Sequence, residues 1–357
     1  MTMMNYAMIP DLVRLYHALP VAPYFRREFA RVDAKAPQVR IRYTDAGNPP
    51  RDVRIERHGQ QFTLVIEKAA ERRFTRSMRR KVCAYAYWLS LCPPEVTRIT
   101  VNASDGETVS NARFAASVRF PHHVALPDPH YFQNDGFAAD MEIGRSAPRW
   151  EDRSDDIVWR GGMNGCGWVS FSPQDVDNPS VLQRVRMVMR LKDMAGTDVR
   201  LVDIRRSEAD FAMLARRQGL LAEPMPARSW LGCKFAIDID GYTNTWSNLL
   251  VRMLYGCCVL KVESQFGFRQ WYYDELKPFE HFVPVCADMS DLAEKIEWVR
   301  SHDSEASAIA ARGRALAQTL TFASQARRAA AIIEEHWDRD EQSYRAASAG
   351  SASISSK

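Results

Sequence analysis

Val39, Ile41 and Tyr43 alternate with polar residues in VRIRYT, and VRIE (53–56) and FTLVIE (62–67) flank a turn-like HGQ. Period-two alternation on both sides of a turn predicts a β-hairpin or meander. In MRRKVCAYAYWLSL (78–91) the spacing changes, and Val82, Tyr85 and Leu89 share one helical face. Cys92-Pro93-Pro94 ends that helix, because proline lacks an N–H and restricts the residue before it. TRITV (97–101) is the next predicted strand, and it runs straight into Asn102-Ala103-Ser104-Asp105-Gly106.

From about residue 150 the pattern becomes strand–helix alternation. DIVW (156–159), VRLVDI (199–204), KFAIDI (234–239), CCVLKV (257–262) and HFVPV (281–285) are short apolar runs. Between them lie helical patterns at 181–191, 246–256 and 291–299. Apolar runs separated by amphipathic helices predict a parallel sheet covered on both faces, with ligands at the carboxyl ends of its strands. Residues 304–337 are Ala- and Arg-rich and read as helix, and AASAGSASISSK after about 344 is a low-complexity tail expected to be disordered.

At 357 residues the chain is long for one domain and comfortable for two. A net charge of +4 gives no reason to expect a nucleic-acid partner, which usually meets a clustered basic face. Seven cysteines without a C-x-x-C pair argue against a zinc ribbon or a disulfide framework, and predict buried free thiols. MTMMNYAMIPDLVRLYHALP lacks a basic stretch followed by an apolar one, so no signal peptide is expected, and no run approaches a membrane span. A cytoplasmic protein, peripheral at most on a membrane, is the expectation.

Four constellations carry candidate chemistry, and each has an ordinary structural reading beside it. Trp159-Arg160-Gly161-Gly162-Met163-Asn164-Gly165 follows a strand, so its backbone could approach a diphosphate with Arg160 supplying charge, or it could be only a tight turn. Asp238-Ile239-Asp240-Gly241-Tyr242-Thr243-Asn244-Thr245-Trp246-Ser247-Asn248 ends a strand and re-enters a helix, which suits either a nucleotide or plain N-capping. Asp238 and Asp240 also resemble a metal-binding D-x-D pair, but alternate residues of a strand point to opposite faces.

Ser104-Asp105-Gly106 sets an aspartate past a strand end, where a general base for a sugar hydroxyl would sit; Asp128 in LPDP and Asp135 in QNDG rival it, and all three could be Asx turns. The last constellation is Arg269-Gln270-Trp271-Tyr272-Tyr273 with His281. Trp271 could stack on a sugar or pack a core, and His281 could be only a strand-end residue. His122-His123 reads as structural. The basic run Glu71–Lys81 reads as a solvated face or an attraction to an anionic membrane.

The order of these segments is distinctive. WRGG, KFAIDIDGYTNTWSNLLVRMLYGCCVLKVES, QWYYDELKPFEHFVPVCADMSDLAEKIEWV and ARGRALAQ together resemble the CAP10-like protein O-glucosyltransferases of glycosyltransferase family 90. The LKPxxHFVPVxxDxSDL stretch is the most specific part, and the resemblance runs over roughly 155–320. It implies an α/β, GT-B-like fold of two Rossmann-like domains facing a cleft. Residues 1–150 would form the acceptor side with a helix at 322–340 returning to it, and 151–321 would bind the donor.

It also implies inverting transfer from a UDP-sugar, glucose or xylose, without a bound metal or other cofactor. The acceptor would be a glycan or glycolipid such as lipopolysaccharide or capsule. Asp105 matches the family's base. Arg160, Gly161, Gly162, Asp240, Gly241, Tyr242, Thr243, Asn244, Ser247 and Asn248 match its donor loops, and Asp128, Trp271 and His281 would face the acceptor or sugar. Where the family places a diphosphate arginine this chain has Asn248, so Arg252 or Arg160 is expected to take over. The alternatives are a metal-dependent GT-A-type transferase using Asp238 and Asp240, and a non-catalytic glycan-binding protein.

Overall fold

A computed structural model describes residues 21–71, 76–202 and 209–337. The chain divides into two compact units, one of residues up to Gln133 together with those from Ala326 on, the other Asn134–Gln325. The division falls ahead of residue 150. The reason is local: helix α4, Ala138–Arg145, presses Gly144 so closely on the Leu254 carbonyl that an added Cβ would lie 2.3 Å from it.

In the first unit, helix α1 (Val21–Ala30) precedes the strands β1 (Gln38–Thr44), β2 (Asp52–His58) and β3 (Gln61–Glu67). β2 and β3 form the expected antiparallel hairpin. β1 does not extend it as a meander; it lies parallel to β3 on the far side. Alternation fixed which face of β1 is apolar, whereas its partner depends on a connection that pattern does not describe. β1 is an edge strand, and Arg40 and Arg42 on it donate to Thr63 and Glu56. Edge arginines of this kind discourage pairing with another chain.

Helix α2 (Arg76–Ser90) then crosses to β4 (Arg98–Asn102), followed by the two-residue strands β5 (Phe114–Ala115) and β6 (Val124–Ala125). The six-stranded order is β1-β3-β2-β4-β5-β6, parallel except for β2. Residues 81–89 of α2 are buried all round rather than on one face. The basic run is therefore no solvated face at this end, since Arg79 and Lys81 are buried. Its Arg72, Arg73, Phe74 and Thr75 lie outside the described residues, as do residues 1–20, 203–208 and the helix end and tail from 338.

The second unit holds a five-stranded, wholly parallel sheet in the order β11-β10-β9-β7-β8. Its strands are β7 (Ser154–Gly161), β8 (Thr197–Leu201), β9 (Cys233–Asp238), β10 (Cys258–Val262) and β11 (Val283–Val285). Every residue of β9 and β10 is buried, as sheets covered on both faces require. A short helical turn, α3 (Pro129–Gln133), closes the first unit. In the second, α4 is followed by α5 (Gln183–Leu191), α6 (Ala209–Arg217), α7 (Asn248–Leu254), α8 (Leu292–Ser301) and α9 (Asp303–Thr319). Helix α10 (Phe322–His336) starts in the second unit and continues into the first. All seven cysteines are free; Cys166 is half-buried, Cys286 exposed and the other five buried.

Candidate functional site

The order of the second sheet places one crevice. From β7 the chain moves outward to β8, and it then returns to the other side of β7 to lay down β9, β10 and β11. The segments leaving the carboxyl ends of β7 and β9 therefore part in opposite directions, which is where open α/β sheets hold ligands. Those two segments are the WRGGMNG and DGYTNTWSN loops. They touch: Gly165 has φ +151°, and a Cβ on it would lie 3.3 Å from the Gly241 carbonyl oxygen. Only a residue without a side chain suits both requirements.

Arg184, in the first turn of α5, fastens the loops together. Its Nε donates to Asp240 O at 2.8 Å, its Nη1 to Gly162 O at 3.2 Å and to Asn164 Oδ1, and its Nη2 to Ile239 O at 3.2 Å. Burial pushes its pKa down to about 10, against the pull of Asp238 and Asp240, so the guanidinium stays charged at neutral pH. Sequence reasoning missed this residue. An arginine in VLQRVRMVMRL reads as a solvated position, and the one available signal was that Val181, Val185, Met187 and Val188 around it on the helix are apolar.

Asp238 and Asp240 have different hydrogen-bond partners, although Lys261 acts on both. Asp238 is fully buried and accepts from Asn248 Nδ2 at 2.9 Å, from Lys261 Nζ at 3.4 Å and from Thr245 Oγ1. Asp240 accepts from Asn244 Nδ2 at 3.2 Å, and burial holds its pKa above the ordinary range. Asn244 also donates to Phe268 O at 3.0 Å. Asn248 spends its amide on Ile237 O and Asp238, Ser247 makes no side-chain cap, and Thr243 is buried. Tyr242 stands exposed beside Gly241. Among the described residues no cluster of three or more His, Cys, Asp or Glu forms a metal site.

Both arginines expected at the diphosphate have partners within the fold. Arg160 reaches back along β8 to Asp198, with Nη2–Oδ2 at 2.6 Å. Arg252 lies 3.5 Å over the Trp230 ring, among Cys233 and Cys257 at the amino ends of β9 and β10. That is the wrong end of the sheet. Gly161 packs on the Trp159 ring, while Gly162 lends its carbonyl to Arg184.

In the first unit Asp105 sits just past β4, its side chain 42% exposed, with Oδ1 2.6 Å from the Nζ of buried Lys81. Gly106 has φ +109°, and a Cβ there would meet Ser117 O at 2.7 Å, so the turn behind Asp105 is held tightly. Asp128 is fully buried and accepts from the N–H groups of His130 at 2.7 Å and Tyr131 at 2.9 Å. It caps α3 and is closed to an acceptor.

Matches to known proteins centre on the second unit. The pattern described as Glycosyl transferase family 90 covers residues 134–323, nearly the bounds of that unit and more than half of the chain. The chain belongs to glycosyl transferase family 90. Its relatives include uncharacterized protein 179R of Invertebrate iridescent virus 6, 28% identical over 171 residues, or 44% of this chain and 14% of that protein. Another is protein O-glucosyltransferase 2 of Danio rerio, 27% identical over 177 residues, or 49% of this chain and 31% of that protein. The chain thus spans less than a third of the length of either. Among solved structures, Anabaena HepE in complex with UDP and glucose aligns at a TM-score of 0.35 and 12% identity, covering 55% of this chain and 52% of that one.

Within this family 90 chain Trp271 and His281, expected with Asp128 to face the acceptor or sugar, make internal hydrogen bonds. Trp271 is buried and donates its Nε1–H to Gln325 Oε1 at 3.0 Å. His281 Nδ1 accepts from the Lys277 N–H at 3.1 Å, closing the turn before β11. His122 and His123 both set Nε2 3.3 Å from Ser110 O, which fits their structural reading. Asp135, the third rival aspartate, lies at the entry to α4 with φ +49°.

Asp128 yields a pH prediction. Desolvation raises its pKa to about 7, against the two backbone bonds that lower it. A carboxyl whose folded pKa lies above its unfolded one stabilises at low pH and loses that contribution as pH rises between the two. Relative to wild type, Asp128→Asn is expected to gain stability from pH 4 to pH 7, by up to about 4 kcal/mol, since asparagine keeps the cap without the charge. Urea unfolding at both pH values checks it; an unchanged difference would mean that Asp128 is ionised in the folded protein.

Proposed function

We propose that this chain is an inverting glycosyltransferase taking its sugar from a UDP-sugar, with the second unit as donor site and Asp105 as base. The observation that carries the reading is the pair of glycine loops fastened by Arg184 at the switch point of the family-matched sheet. Loops of this kind present backbone N–H groups to a diphosphate, and a buried guanidinium behind them favours negative charge in front. Arg184 acts here by holding the loops.

In the transfer, the acceptor oxygen bonds to the anomeric carbon as its proton passes to Asp105. The bond from that carbon to the UDP oxygen breaks, and its electron pair leaves with UDP. Glucose is favoured because the zebrafish relative is named an O-glucosyltransferase, and xylose differs from it by one hydroxymethyl group. The acceptor is a hydroxyl of a glycan or glycolipid, and the reaction runs without a metal. Three donors already surround Asp238, which disfavours the D-x-D reading. Among the described residues no helix is long and apolar enough to cross a membrane; the proposed place of action is the cytoplasm or its membrane surface.

UDP at 100 times its dissociation constant is expected to stabilise the protein by about 2.7 kcal/mol, with or without EDTA. A thermal-shift panel of UDP, UDP-glucose, UDP-xylose, UDP-galactose and GDP-mannose measures this and ranks the sugars. No shift with any nucleotide would sink the donor site, and a shift lost in EDTA would restore Asp238 and Asp240 as metal ligands.

A further inference from the structure

We infer that Lys261 is the cation that meets the donor's diphosphate, a role expected of Arg160 or Arg252. This rests on the reading of the second unit as a UDP-sugar site and names the charge which that site uses. Lys261 is the fourth residue of β10, which runs between β9 and β11, and its register partner on β9 is Asp238. Both stand at the carboxyl ends of their strands, where β9 passes into the DGYTNTWSN loop. Partners in register project from the same face of a sheet. On this face Asp238 also takes the amide of Asn248, the first residue of α7. Lys261 therefore lies on the side where the donor loop becomes helix.

A lysine inside a sheet covered on both faces is costly to bury. Its Nζ stands 3.4 Å from Asp238 Oδ2 and 3.3 Å from Tyr273 Oη, both beyond the roughly 2.7–3.2 Å of a well-made N–H···O bond. A buried ion pair of that geometry gains little over an apolar pair of the same size, so the charge is best explained by a ligand. The charges around it are ordered for an anion. The lysine side chain is 9% exposed and that of Asp238 is wholly enclosed, so it is the cation of the pair that reaches toward solvent. Asp238 is turned inward on Thr245 and Asn248. At Asp240 burial raises the pKa first and the charge of Lys261 then lowers it, so the field of the ammonium extends to the second carboxyl of the loop. With Lys261 and Arg184 set against Asp238, the crevice favours the negative charge that grows on UDP as the sugar leaves.

The test is isothermal titration of UDP and of uridine, which differ by the diphosphate alone. Wild type is compared with Lys261→Met, Lys261→Arg, Asp238→Asn and the Lys261→Met/Asp238→Asn pair. Lys261→Met is expected to weaken UDP about 10- to 100-fold and to leave uridine unchanged, a split that loss of loop structure would not give. Lys261→Arg should recover most of the loss. The paired variant removes both charges together, so no carboxylate is left buried alone, and it should show the same selective loss. Asp238→Asn keeps the ammonium and should hold the wild-type ratio of the two affinities. An unchanged ratio in Lys261→Met and in the pair overturns the inference. So does a ratio that falls as far in Asp238→Asn, because Lys261 would then act only through that carboxylate. Wild type that binds UDP no more tightly than uridine overturns the donor reading itself, and that outcome is distinct from the other two.

Discussion

Arg184→Met is expected to remove the UDP-dependent rise in melting temperature and to lower the unliganded midpoint by roughly 10 °C. The side chain donates to three backbone carbonyls and one amide oxygen from a buried position. Methionine fills much of the volume but leaves those acceptors without donors. Breaking a buried charged network in this way costs about 3–5 kcal/mol. Lysine keeps the charge yet cannot span carbonyls on two loops at once, so Arg184→Lys should fall between.

The comparison that gives this prediction its force is with the two arginines first expected at the diphosphate. Arg160→Met breaks an ion pair to the half-exposed Asp198 and leaves the Trp159 and Asp198 carbonyls without this donor, and UDP should still shift the melting temperature. Arg252→Met removes a stacked guanidinium from Trp230 at the far end of the strands. It should destabilise the protein and leave the nucleotide response intact. Loss of the UDP response in Arg160→Met, with Arg184→Met still responding, would return the donor site to Arg160 and remove Arg184 from it.

Why Arg184 was invisible while its surroundings were not is a matter of what a pattern encodes. The strands of the second sheet were legible because a strand covered on both faces must be mostly apolar, as β9 and β10 are apart from Lys234, Asp238 and Lys261. The glycine loops were legible because backbone contact leaves a compositional trace in the sequence. A charged residue inside an apolar helix carries no such trace of its partner. Arg184 and Lys81 look like surface positions until the fold brings Asp240 O and Asp105 to them. Arg160 and Arg252 lie near the loops along the chain, but that proximity says nothing about the partners their side chains reach, which are Asp198 and Trp230. In the first unit the same limit hid the partner of β1, whose alternation holds at half-buried Val39 and Ile41 but not at exposed Tyr43, and which pairs with β3.

Asp105→Asn is expected to reduce UDP release from the UDP-sugar by about 10²- to 10⁴-fold while leaving the UDP-dependent thermal shift unchanged. Asparagine preserves shape and can still meet the Lys81 ammonium through its carbonyl oxygen, so the loop past β4 should hold its form. What it cannot do is accept a proton. The separation of the two readouts is what makes the experiment informative, because Asp105 lies outside the family-matched residues 134–323 and its proposed role rests on the resemblance together with its exposed place past β4. Asp128→Asn, buried and capping α3, should keep wild-type turnover. If Asp105→Asn turns over normally and Asp128→Asn does not, the base has been assigned to the wrong aspartate. If neither variant loses turnover while UDP still binds, the proton leaves by a route that needs neither of these two carboxylates.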